Sequence, residues 1–251
     1  MKFWVGTYEI DINIASQAAL ERAVEDRFND DQGFALATLN MDHLDKLRRD
    51  SAFQTAYAAQ DLVVADGNPI VWMSKLAGRP VDLMPGSDLV LPLTRLCAAH
   101  DVPMALVGST QDSLERAADV LHRQAPGLQI VACIAPAFGF NPEREEARRI
   151  LHQVALSGAR FCFLALGAPK QERFAALGRE LTPHIGFASV GAGLDFLSGS
   201  QTRAPRWVRK LALEWLWRLL SSPGRLAGRY ARNFAVLPGH VLRSVFRKQP
   251  L

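Results

Sequence analysis

No run of about 18 uninterrupted apolar residues occurs in this chain, so a helix that crosses a bilayer is not expected. The N-terminal stretch, residues 1–14, alternates apolar and polar side chains and includes Glu9 and Asp11; it has no apolar core of the kind a signal peptide needs. Cysteine is scarce. Cys97, Cys133 and Cys162 sit far apart among apolar neighbours, and an odd number without metal-ligand spacing points to buried thiols in a reducing compartment. The 6 histidines include no metal-type pair, and no Asp-x-Asp triplet is present to hold a divalent ion on a diphosphate. The only glycine pair that suggests a dinucleotide loop, Gly191-x-Gly193, fails because Phe196 stands where the third glycine belongs. If a diphosphate is handled here, its charge must be met by arginine, lysine or helix N-termini.

Acid is the other scarce commodity, at one end only. From Arg203 to Leu251 there are eleven Lys/Arg, a single acid (Glu214) and three of the 5 tryptophans. Residues 1–202 carry a net −6 and the tail a net +10, a split hidden in the overall +4. A basic, Trp-rich terminus on an acidic body suits contact with an anionic surface or substrate. The 251 residues, 49% hydrophobic and 22% charged, suffice for one large domain with its own core plus an appendage.

Short apolar runs at 34–38, 62–65, 104–107, 129–134, 161–166 and 185–190 alternate with helix-patterned segments at 41–49, 69–76, 87–99, 112–124, 142–156 and 169–180. Pro69, Pro142 and Pro169 mark first turns, and Asp112 suits a cap. This alternation predicts a Rossmann-like α/β fold: a mostly parallel sheet with helices on both faces and a C-terminal basic helical appendage. Ser198–Pro205 is the natural boundary, dividing a catalytic body at 1–198 from an appendage at 199–251.

In such sheets ligands bind beyond the carboxyl ends of the strands. Thr38 and Asn40, Asp66-Gly67, Gly108-Ser109, the segment Gly167–Glu172 and Gly191-Ala192-Gly193 all follow apolar runs, and one crevice lined by them is expected. Asp66 is the foremost catalytic candidate, since a carboxylate at that rim can take a proton from a hydroxyl; a turn or capping role is the alternative. Thr38 and Asn40 suit a polyhydroxyl substrate, although Asn40 could equally cap the next helix. Gly191 and Gly193 fit a tight turn as well as an anion loop.

In the tail, Trp207, Leu211, Trp215 and Leu219 recur every four residues, flanked by Arg206 and Lys210. Further on, Arg225, Arg229 and Arg232 share one helical face. Packing on the body, lying on a membrane surface and binding nucleic acid compete as readings. The last is disfavoured because the aromatics fall on the apolar stripe, not between the cations.

Taken together these residues resemble the WecG/TagA/CpsF family of bacterial glycosyltransferases. The resemblance runs through Thr38-Leu39-Asn40, Ala65-Asp66-Gly67, Gly86-Ser87-Asp88-Leu89 and Gly167-Ala168-Pro169-Lys170-Gln171-Glu172. It continues through Val190–Gly199 and closes on Arg203-Ala204-Pro205-Arg206-Trp207 and Leu213–Leu220. It implies inverting, metal-independent and cofactor-free transfer from a UDP-sugar to a polyprenyl-diphosphate-linked sugar in cell-surface polysaccharide synthesis. Asp66 would be the general base; Thr38, Asn40, Gln171 and Asp88, with Gly108, Gly191 and Gly193, would line the substrate. Arg218, Arg225 and Arg229 would close over the departing diphosphate.

The tail, 203–251, would rest on the inner face of the cytoplasmic membrane, with the enzyme cytoplasmic and peripheral, no nucleic acid as partner and a homo-oligomer allowed. Leu39, Asn68-Pro69 and Pro85 depart from common family residues and leave the donor open among N-acetylmannosamine, its uronic acid, glucose and glucuronic acid. A nicotinamide-dependent oxidoreductase on the same fold class and a non-catalytic membrane adaptor are the readings from other classes.

Overall fold

The computed structural model describes residues 1–5, 8–205, 207–208, 211–221 and 224. The chain opens with an antiparallel hairpin, β1 (Lys2–Val5) and β2 (Tyr8–Asp11), followed by α1 (Gln17–Asn29). Six parallel strands then form the central sheet: β3 (Ala35–Leu39), β4 (Leu62–Ala65), β5 (Met104–Gly108), β6 (Ile130–Ile134), β7 (Phe161–Ala165) and β8 (Gly186–Ser189). Their spatial order is β4-β3-β8-β7-β5-β6.

Between the strands lie α2 (Met41–Leu47), α3 (Ser51–Ala58), α4 (Asn68–Leu76), α5 (Gly86–Ala99), α6 (Gln111–Gln124), α7 (Glu145–Leu156) and α8 (Lys170–Leu181). Helices α9 (Gly193–Leu197) and α10 (Glu214–Ser221) lie after β8. The parallel α/β architecture with helices on both faces is therefore as expected.

The strands are apolar throughout because both faces are covered; β3, β4, β5 and β8 are buried at every position. One face is closed by α1, α5, α6 and α9, with Leu36, Val64, Leu106 and Phe163 facing them. The other is closed by α7 and α8, which bury Cys162, Leu164, Phe174 and Phe187, while α3 packs beside α8. A third cluster joins the hairpin to α2, α3 and α4 through Phe3, Ile10, Leu44, Phe53 and Ile70.

Local signals explain most helix starts. Ser16 caps α1, Asn40 caps α2 and Asp50 caps α3, each accepting from the third residue on. Thr110, not Asp112, caps α6. Helix α7 starts three residues after Pro142, and Pro169 is the residue before α8. Cys97 and Cys162 are buried free thiols, whereas Cys133 is only half-buried. Among the described residues no helix is long and apolar enough to cross a membrane.

Several neighbouring strands send the chain to opposite faces of the sheet. After β3 the chain turns to α2 and α3, and after β8 to α9 on the other side; the same divergence separates β5, which leads to α6, from β7, which leads to α8. Crevices open at such switch points, beyond the carboxyl ends of the strands.

Candidate active site

The end of β3 and the end of β4 are locked together, with the Asp66 amide donating to Leu39 O at 2.7 Å. This brings Asn40 against Asp66: Asn40 Nδ2 donates to Asp66 Oδ2 at 3.2 Å while Asn40 Oδ1 accepts the His43 amide at 3.0 Å. The two readings of Asn40 are thus one arrangement, since the bond that caps α2 also fixes the amide that orients Asp66. Asp66 is half-buried at the rim. Gly67 follows with φ 104°, a conformation that favours glycine, and turns the chain into α4. Thr38, two residues before Asn40, is buried, and its hydroxyl makes no hydrogen bond among the described residues.

The N-terminus of α5 meets the same rim. The Met84 amide donates to Ala65 O at 2.8 Å, and a Cβ on Gly86 would stand 3.0 Å from Val190 Cα. Gly86 and Ser87 thereby sit between the ends of β4 and β8, across β3. Helix α5 has no side-chain cap, so its start brings the positive end of the helix dipole to this rim. Asp88, in the first turn of α5, is exposed and paired with Arg203, whose guanidinium also lies over Phe196. Asp88 thus joins α5 to the segment that begins the tail.

Gln171 lies in the first turn of α8. It is 3% exposed, its Nε2 donates to Glu172 Oε1 at 2.9 Å, and its Oε1 accepts the Gly191 amide at 3.1 Å. It holds the loop after β8. Space is open where a Cβ on Gly191 would project, and φ there is 55°. Gly193 is a packing glycine: a Cβ would meet Val90 Cγ2 at 2.9 Å.

Gly108 belongs elsewhere. It ends β5, three strand spacings or about 14 Å from β3, and its Cβ would collide with Ala165 O at 2.4 Å. One crevice lined by all the expected residues is therefore not what the sheet builds. Thr38, Asn40, Asp66 and Gly191 gather at β3, β4 and β8, while Gly108 lies at the end of β5. Arg225 and Arg229 lie outside the described residues; Arg218 falls in α10, its side chain outside them.

Beneath Asp66 is a buried polar layer that spacing did not single out. Glu172 is fully buried on α8, and burial pushes its carboxyl up to about 7 despite the opposing Gln171 hydrogen bond and Lys46 charge. Its Oε2 has no hydrogen-bond partner, and Gln60 Nε2 donates to its backbone oxygen at 3.1 Å. His43 Nε2 stands 4.0 Å from Glu172 Oε1, too far for a hydrogen bond, and His43 Nδ1 is 3.3 Å from the Tyr57 hydroxyl. Burial, then the nearby Glu172 and Asp66 carboxylates, hold the Tyr57 phenol well above its usual range. Glu172 belongs to the Gly167–Glu172 motif; His43 and Tyr57 give no sequence signal, because only the packing of α2 and α3 onto α8 brings them there. Lys46 adds a tie across this layer, donating to Ala168 O at 2.9 Å and pairing with Asp42.

Among the described residues no group of three His, Cys, Asp or Glu side chains gathers as metal ligands. The arrangement offers one oriented carboxylate at a strand exit, an unbonded hydroxyl, open space beside a glycine turn and a helix N-terminus for negative charge.

The profile of the family described as "Glycosyl transferase WecG/TagA/CpsF family" matches residues 5–250. A curated relative from Bacillus spizizenii strain W23, N-acetylglucosaminyldiphosphoundecaprenol N-acetyl-beta-D-mannosaminyltransferase, is 26% identical over 196 residues, 77% of this chain and 74% of the relative.

Proposed function

The chain belongs to the WecG/TagA/CpsF family of glycosyl transferases, and we propose that it moves a sugar from a UDP donor to a polyprenyl-diphosphate-linked sugar, with inversion and without a metal ion, in the synthesis of a cell-surface polysaccharide. The observation that carries this reading is the Asn40–Asp66 pair at the ends of β3 and β4, two neighbouring strands of the sheet. The relative's acceptor, an undecaprenol diphosphate carrying N-acetylglucosamine, supplies the substrate class, and N-acetylmannosamine is the first donor to test. Its uronic acid, glucose and glucuronic acid follow.

In the proposed step the acceptor hydroxyl oxygen bonds to the anomeric carbon while the bond from that carbon to the UDP oxygen breaks on the opposite face. Asp66 takes the hydroxyl proton, and UDP leaves with the bonding electron pair. Asn40 holds the carboxylate in line, and Thr38 offers its hydroxyl to a sugar. The Gly86 and Ser87 amides at the start of α5 bring partial positive charge to the diphosphate. Arg218, Arg225 and Arg229 complete its neutralisation from the appendage at 199–251, which closes over the catalytic body at 1–198. Asp88 tethers the start of that appendage through Arg203, and Gln171 acts through the Gly191 loop. The protein works at the inner face of the cytoplasmic membrane, held through 203–251.

A panel of UDP-sugars offered with a short-chain polyprenyl-diphosphate-sugar acceptor, with and without EDTA, tests this. Transfer from one donor, unaffected by EDTA, is expected. Transfer from none, or its loss on chelation, overturns the reading.

A further inference from the structure

Between the end of β4 and the start of α5 the chain makes an excursion over residues 66–84 that leaves the rim at Asp66 and returns to it at Met84. Its inner side is fixed. Ile70, Val71, Met73 and Val81 are buried in the cluster with the hairpin and α2. The buried Ser74 hydroxyl accepts the Val81 amide at 3.2 Å, and the Met84 amide returns to Ala65 O.

The outer side is apolar. Trp72 is 52% exposed, Leu76 58% and Leu83 41%. Lys75 and Arg79 are exposed too: Trp72, Lys75 and Leu76 follow one another at i, i+3 and i+4 on α4, and Arg79 comes just past the helix end, after Gly78. Elsewhere in residues 1–202 the exposed large apolar side chains are the pair Val131 and Phe138, seven positions apart, and the lone Leu156 and Leu181. Scattered residues of that kind are ordinary; three within twelve positions on a clamped segment are not.

We propose that this excursion is a membrane-docking surface on the body itself, separate from the basic tail, which seats the Asp66 rim against the anionic bilayer that holds the lipid-linked acceptor. The proposal rests on the transferase reading above. Two features select a bilayer as the occupant. First, a Trp flanked by cations and aliphatic side chains suits the headgroup boundary, where apolar atoms enter the acyl region and ammonium or guanidinium groups meet lipid phosphate. Secondly, the charge is inverted locally. Residues 1–202 carry a net −6, which anionic lipid repels, yet residues 66–84 past Asp66 carry Lys75 and Arg79 against Asp82 alone, and the Asp82 carboxylate already accepts the Gln17 amide.

The placement suits the reaction. Helix α4 starts two residues after Asp66, and its exposed stripe runs only about 6–12 Å along its axis. A sugar-diphosphate standing on a bilayer that touches this stripe is therefore close to the carboxylate that must deprotonate it.

The test uses the full chain with its tail intact. Two variants are compared with wild type: Trp72→Ser/Leu76→Ser/Leu83→Ser, and Lys75→Gln/Arg79→Gln. Partition is measured by co-sedimentation with phosphatidylcholine vesicles with and without phosphatidylglycerol. Transfer is measured to an undecaprenyl acceptor in those vesicles and to a short-chain acceptor in solution.

The apolar variant is expected to lose about tenfold or more in partition to anionic vesicles. The charge variant is expected to lose about fivefold per cation, and only where phosphatidylglycerol is present. Both should transfer to the soluble acceptor within about twofold of wild type, as harmless surface changes do, and both should be slow on the vesicle-bound one. Unchanged partition overturns the proposal, as does an equal loss on both acceptors, or unchanged partition accompanied by loss of a concentration-dependent dimer. A wild type that transfers to neither acceptor refutes the transferase reading instead, and partition still decides the docking surface.

Discussion

Two carboxylates near the carboxyl ends of the strands, Asp66 and Asp195, are held differently. At the β5–β7 crevice Asp195 is surrounded by donors: Ser109 and Ser113 hydroxyls both donate to Oδ1, and Gln201 Nε2 donates to Oδ2 at 2.8 Å. Ser198 and Ser200 extend that net to Arg116 on α6. Both carboxylate oxygens are consumed in fastening α9 and the segment after it to α6. At the end of β4 Asp66 is aligned by Asn40 at its Oδ2 and stays half-buried. The same sheet thus carries one carboxylate bonded into the packing of α9 on α6 and another aligned by a single asparagine amide at the exit of β4.

The comparison breaks first at Asp66. Asp66→Asn should lower turnover by about 10²–10⁴-fold while donor affinity, measured calorimetrically, stays put; turnover within tenfold of wild type removes the base. Asn40→Ala comes next. It loses the group that aims Asp66, for up to about 10²-fold in turnover, and also the α2 cap, for about 1 kcal/mol of stability. A stability loss with full turnover would reduce Asn40 to a cap.

Asp195→Ala should do the opposite, costing about 1–3 kcal/mol in urea denaturation as its donors lose their acceptor, with turnover of the folded enzyme nearly unchanged. If turnover collapses instead, Asp195 is not merely structural.

Glu172 sharpens the contrast through pH. Its carboxyl is raised from 4.5 to about 7 in the folded protein. The fold therefore holds a proton there that the unfolded chain releases, and the stability this supplies is full below about 4.5 and is lost as pH rises through about 7. Glu172→Gln should flatten that decline between pH 5 and pH 8; an equal decline in both proteins refutes the assignment. The smallest effect is at Gly191, where alanine meets open space but must adopt φ 55°. About 1 kcal/mol is the expected cost, read as a drop in melting temperature, and no drop would mean the loop relaxes freely.

Much of this was legible in the sequence. The run Leu62–Ala65 is β4 residue for residue, because a strand covered on both faces needs four consecutive apolar side chains and Asp66-Gly67 ends it. The alternation of such runs with helices was enough for the fold class, and the position of Asp66 and Asn40 after two of them was enough for the rim.

Helices α1 and α3 were missed. In α1 the apolar side chains Leu20, Val24 and Phe28 recur every fourth residue within a polar helix, a signal diluted by its surroundings but announced by Ser16. In α3 the cap Asp50 and the buried Phe53 and Tyr57 carried the same message. Strand order was not legible at all. Spacing along the chain says where strands end, not which ends are neighbours, so Gly108 was grouped with residues three strands away. For the same reason the Glu172–His43–Tyr57 layer, drawn from three helices, had no trace in any local pattern. Gln171 carried a motif yet turned out to serve the Gly191 loop.

The central claim is that one oriented carboxylate, Asp66 and not Asp195, activates the acceptor. It is tested most directly by single-turnover transfer at saturating donor in Asp66→Asn and Asp195→Asn side by side. The account predicts a rate reduced by about 10²–10⁴-fold in the first and close to wild type in the second. Equal rates in the two variants, or the larger loss at Asp195, would contradict it.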